Sequence, residues 1–307
     1  MAGALFPSDT EIDRLLVGPE SIAWRSTSDV RLNFAVLYPL LLQVAHPTID
    51  AAVSDYSDFD QRPWDRLLAT ADYLNLLVYG GRDAVAAGRR LHALHRRFHG
   101  TRADGTPYSA LEPAAYAWVH ATLLDTFVRA SACFSTPMTP SEADRFFREY
   151  RGLGRLIGVR ERDLPATWTQ FRAYFRRTAR YRLSRTASVD RVLNAIRDAA
   201  APAPIPKPFW RAIELPARRA LWLGGIGLMD PETRRRLSIT WSRVDGTEFA
   251  LLSMLSRSLS PVLPASLKIT GPEHLRIRRP MIAQGPLGPL GQPHRPLGPR
   301  VEQRPLG

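Results

Sequence analysis

Tyr116-Ala117-Trp118-Val119-His120-Ala121-Thr122-Leu123-Leu124 reads as the middle of a buried helix. Apolar residues recur at three- and four-residue spacing, and Pro113 suits the first turn. On its helix face His120 has Tyr116, Ala117, Leu123, Leu124 and Phe127 as neighbours. An imidazole placed there needs a partner, because an unpaired buried polar group costs about 1–3 kcal/mol. Two partners are open: a carbonyl of the core, or a metal under an apolar lid. A porphyrin iron suits an apolar wall well.

The same pattern extends outward. Pro63 opens a helix through Val78, stopped by Gly80-Gly81. Ala84 to Phe98 reads as the next, ended by Gly100. Thr139-Pro140-Ser141-Glu142 is a capping box that opens a helix through Arg155. Asp163-Leu164-Pro165 and Asp230-Pro231-Glu232-Thr233 mark further starts. No run alternates with period two, so strands are not expected. The expected fold is all-α, a single-domain bundle of about ten helices. Ala201 to Pro208 reads as a stiff extended connection inside that domain. The domain is expected to cover residues 1–275. Residues 276–307, with four Pro-Leu-Gly copies, read as a disordered tail.

Composition narrows the function. With 307 residues, 45% hydrophobic and 23% charged, the chain is an ordinary globular one. The net charge is +13, built from Arg with only Lys207 and Lys268 added. These Arg residues are scattered at helix-surface spacing among acids, as a solvated face would be. No zinc-finger spacing or aromatic RNA-binding strand is present, so nucleic acid is not an expected partner. The single cysteine, Cys133, excludes an internal disulfide and reads as a packed core residue. The most apolar run, Leu32 to Ala45, is interrupted by Asn33, Pro39 and Gln43 and is shorter than the ~20 residues of a membrane span. The N-terminus lacks a signal-like apolar segment. A cytoplasmic protein, with peripheral membrane contact open, is the expectation.

Three histidines, His92, His95 and His99, stand at i, i+3 and i+7 and on one helix would share a face. That spacing also suits a non-haem metal ion. His46 precedes Pro47 at a helix end, where the dipole favours it. No Gly-x-Ser-x-Gly elbow supports serine nucleophile chemistry. Gly152-Leu153-Gly154 has no preceding strand and is no dinucleotide loop.

The ordered set Gln43-Val44-Ala45-His46-Pro47, Arg66-Leu67-Leu68-Ala69-Thr70, Tyr79-Gly80, His95-Arg96-Arg97-Phe98-His99-Gly100 and the His120 helix resembles the DUF2236 family. That family holds the MpaB-type oxygenases and the catalytic domain of latex-clearing rubber oxygenases. The resemblance runs from about residue 20 to 270 and is most specific between His95 and His120. It implies an all-α oxygenase with a b-type haem, using O2 to oxidise or cleave a double bond of an isoprenoid or other apolar alkene. On this resemblance His120, rigid in mid-helix, is expected to hold the iron. His95 and His46 are expected on the open, catalytic side, with His46 the other candidate ligand. Arg96 and Arg97 are expected against the haem propionates. Charged residues that rubber-cleaving members carry near the haem have no secure counterparts, which favours a small lipid-like substrate over rubber. Two alternatives stand beside this reading: a non-catalytic haem- or lipid-binding protein, and a non-haem metal enzyme built on His92, His95 and His99.

Overall fold

The structure is a computed structural model, and it describes residues 5–102, 104–198, 201 and 205–285. Helices α1 (Asp9–Leu15), α2 (Ile22–Ser26), α3 (Leu37–Val44) and α4 (Pro47–Tyr56) come first, with a 3-10 turn at Val30–Ala35. Then follow α5 (Pro63–Tyr79) and α6 (Arg82–His95), a hairpin of β1 (His99–Thr101) and β2 (Pro107–Ser109), and α7 (Pro113–Phe134). The second half holds α8 (Pro140–Leu156), α9 (Trp168–Arg182), α10 (Ala187–Asp198) and α11 (Lys207–Gly227). It closes with α12 (Pro231–Arg236), α13 (Arg243–Ser258), α14 (Ala265–Lys268) and α15 (Gly271–Gln284).

The fold is all-α, as expected, with fifteen α-helices among the described residues rather than about ten. The surplus consists of short pieces. The apolar run from Leu32 to Ala45 is not one α-helix: it divides between the 3-10 turn and α3, and the chain bends by 100° where α4 follows. No single described helix is long and apolar enough to cross a membrane. A second departure is the antiparallel hairpin, in which His99 pairs with Ser109 and Thr101 with Pro107. Three-residue strands leave no alternation to read.

Capping chemistry explains why the long helices start where they do. Thr139 and Glu142 form the reciprocal capping box of α8, and Asp230 accepts the backbone N–H of Thr233 at the start of α12. One expected start moved: α9 begins after Thr167, which accepts from Gln170, not at Asp163. At the linker, Pro206 caps α11 and Pro208 lies in its first turn, so the expected extended connection ends sooner; residues 202–204 lie outside the described residues.

Helix α7 runs through the core, with Trp118, Ala121, Leu124 and Phe134 fully buried. Trp118 Nε1 donates to Leu42 O at 2.9 Å and ties α7 to α3. Helix α6 lies tightly on the end of α8 because residue 88 is glycine. A Cβ there would stand 2.4 Å from Leu156 O. Helix α15 packs along α5, with Ile282 against Leu76 and Ala87. The tail expected from residue 276 therefore begins too early, since 276–284 complete α15. The four Pro-Leu-Gly copies lie outside the described residues.

Candidate functional site

Helix α5 presents Arg66, Thr70 and Tyr73 at i, i+4 and i+7, a spacing that puts all three on one face. His95 of α6 lies within charge reach of Arg66, and Tyr116 of α7 and Tyr150 of α8 lie within reach of Tyr73. His95 meets the edge of Tyr116 at 5.8 Å between ring centres and leans on Phe98 at 5.6 Å. Tyr73, His95 and Tyr116 are each strongly desolvated, yet each keeps some accessible surface. The three side chains gather where α5, α6 and α7 meet. Arg66, on the same face of α5 as Tyr73, is exposed.

Polar atoms in this cluster are short of partners. His95 Nδ1 and the Tyr73 and Tyr150 hydroxyls are buried without a hydrogen bond among the described residues. Burial lowers the pKa of His95 to about 4, helped by the charges of His92 and Arg66. The ring is thus neutral at pH 7, with a lone pair to offer. Burial raises the Tyr73 hydroxyl well above its ordinary value, so it stays protonated.

His120 is placed differently. Its ring stacks on Tyr150 at 4.8 Å, and Nε2 stands 2.8 Å from Tyr150 O. The carbonyl only accepts, so Nε2 carries the proton. Gly154 presses from α8: a Cβ there would stand 2.8 Å from Nε2. Burial lowers the His120 pKa to about 4. Of the two partners open to His120 from the sequence, Nε2 has found the core carbonyl, and Nδ1 is buried without a partner.

His46 caps α4 at the corner with α3 and is buried, its Nδ1 unpartnered. Burial lowers its pKa to about 4; Glu112 opposes that shift, and Arg182 and Arg102 add to it. Arg96 and Arg97 are exposed at the C-terminal end of α6. The three-histidine face does not form, because α6 stops at His95 and His99 is exposed on β1. Among the described residues no group of three or more His, Cys, Asp or Glu is arranged to hold a metal ion. The sequence reading gave Arg66 and Thr70 no role and did not name Tyr73 or Tyr150. The i, i+4, i+7 spacing on α5 was the available signal for the first three.

A family profile described as "ER-bound oxygenase mpaB/B'/Rubber oxygenase, catalytic domain" matches residues 24–258. No curated protein and no solved structure matches the chain.

Proposed function

The chain belongs to the mpaB/rubber oxygenase catalytic-domain family, and from that premise we propose that it binds haem b through His95 and oxidises or cleaves a double bond of an isoprenoid or lipid-like molecule. The observation that carries this reading is the neutral His95, whose buried Nδ1 has no partner among the described residues and whose ring is set against Tyr116. Two features support it as the ligand over His120. Neither ring nitrogen of His95 has a hydrogen-bond partner among the described residues, whereas His120 Nε2 has one in Tyr150 O. His95 also borders accessible space, whereas His120 is 1% exposed and wedged under Gly154.

Bound haem b would supply the activation of O2, which no amino-acid side chain provides. The chain's own residues prepare the place. The edge of Tyr116 limits rotation of the His95 ring, which keeps its lone pair aimed. Arg66 has no carboxylate within ion-pair distance among the described residues, so its guanidinium is free to bind the carboxylates of a bound group bidentately. Arg66 shares its face of α5 with Tyr73 and lies within charge reach of His95, which suits that role. The Tyr73 hydroxyl keeps its proton and has no partner among the described residues, so it can donate to an oxygen atom of a bound molecule. Aromatic faces of Tyr73, Phe98 and Tyr116 suit an apolar substrate and exclude water.

Titration of the purified chain with haemin tests the reading. A Soret band that saturates at one equivalent is expected, followed by O2 uptake with an apolar alkene. Failure to form the complex would remove the haem, and uptake without any carbonyl or oxygenated product would remove the chemistry.

A further inference from the structure

Helix α13 packs Phe249 and Leu252 on the core and buries two serines beside them, yet its outer face is also apolar. Ser256 is 3% exposed and Ser253 is 7% exposed. Ser256 Oγ donates to Phe134 O at 2.7 Å, and Ser253 Oγ has no partner. The outward residues are Leu251, Met254 and Leu255, each about half exposed. A helix on a water-facing surface carries the opposite pattern, with polar residues outward. The apolar face does not end with the helix. Leu259 and Val262 continue it, and Val262, between Pro261 and Leu263, is 73% exposed. Scattered exposed apolar residues are ordinary, but a continuous row marks an interaction site.

Charge decides what covers it. From Phe249 to Pro272 the chain has no acidic residue; its only charges are Arg257 and Lys268. The nearest acids on α13, Asp245 and Glu248, are both engaged by Arg219 at 2.6 and 2.5 Å. A second copy of this chain docking face to face would set bases against bases with no acid to pair them. An anionic lipid surface supplies the missing charge and an apolar layer beneath it. The segment is no membrane span, because no single described helix is long and apolar enough. We propose that the outer face of α13 and the loop after it, through Val262, seat this protein on anionic lipid bilayers, with the leucines and Val262 below the headgroups and Arg257 and Lys268 among them.

Flotation of the full chain with vesicles tests this, and it needs no haem. One set is phosphatidylcholine alone, the other phosphatidylcholine with phosphatidylglycerol. The chain should float with the anionic set and more weakly with the neutral one. Leu255→Glu together with Val262→Glu should lower partitioning at least tenfold, since two apolar anchors are lost. Arg257→Gln should lower it about fivefold on anionic vesicles only. Tyr181→Glu, on exposed α9 surface, should bind like the parent. All variants should melt like the parent, because the altered side chains are exposed. The proposal is overturned if the parent does not float, or if the double variant floats equally well. Light scattering that finds a parent dimer split by the double variant would also overturn it, and would make this face a self-interface.

Discussion

Deleting residues 276–307 should destabilise the protein, although composition alone predicts no effect. The deletion removes Arg278 and Ile282 from α15. Arg278 supplies two of the three side-chain hydrogen bonds that Asp72 receives, from Nε at 3.0 Å and Nη2 at 2.6 Å; His274 Nε2 gives the third at 2.7 Å. Asp72 is 6% exposed, and hydrogen bonds to a charged group contribute about 1.5–3 kcal/mol. The Arg278 side chain is 23% exposed, which favours the lower end of that range. Ile282 is buried against Leu76 and Ala87, and fully burying such a side chain contributes about 1.5–3 kcal/mol. Together they amount to about 3–4 kcal/mol, or a fall in Tm of roughly 6–15 °C for a chain of this size. The assay is thermal unfolding by circular dichroism of two truncations, one ending at Gly285 and one at Leu275. Their difference isolates the end of α15. If the two melt within about 2 °C of each other, the contact between α15 and α5 does not hold the fold as argued.

Three further outcomes follow from individual contacts. Gly154→Ala places a Cβ 2.8 Å from His120 Nε2, so it should cost about 1–3 kcal/mol of overpacking in urea unfolding. Tyr73→Phe removes a hydroxyl with no partner; stability should change by less than about 1 kcal/mol while oxygenase turnover falls, and a large loss of stability would show that the hydroxyl serves the fold. Acid should weaken the fold through His120. Its folded pKa is lowered from 6.5 to about 4, so the unfolded state binds the proton first. Stability is full above pH 6.5 and declines as the pH falls toward 4, by up to about 3 kcal/mol from this group. His120→Gln should remove about a third of the decline between pH 7 and pH 5 in urea titrations, since His46 and His95 carry the same shift.

The long helices were legible in the sequence because their starts are written locally. Thr139 with Glu142, Asp230 with Thr233, and the prolines at 63, 113 and 140 each act within one turn. What escaped depends on distant contacts or on pieces too short to carry a period. The hairpin at His99 is three residues a side. Helix α15 carries Pro272 and Pro280 and merges into the Pro-Leu-Gly composition, so its link to Asp72 was invisible. The different settings of His95 and His120 were hidden for a similar reason. A mid-helix position made His120 look like the rigid ligand, but its partner carbonyl belongs to Tyr150, thirty residues away on another helix. The surroundings of His95 come from the meeting of α5, α6 and α7, which no local pattern encodes.

The central claim is that His95 and not His120 holds the cofactor. The most direct measurement is haem stoichiometry per folded chain, by pyridine haemochrome, in His95→Ala and His120→Gln after reconstitution with haemin. The account predicts that His95→Ala folds like the parent and loses the bound haem and its Soret band, while His120→Gln keeps one haem per folded molecule. Full haem with an unchanged Soret band in His95→Ala would contradict it.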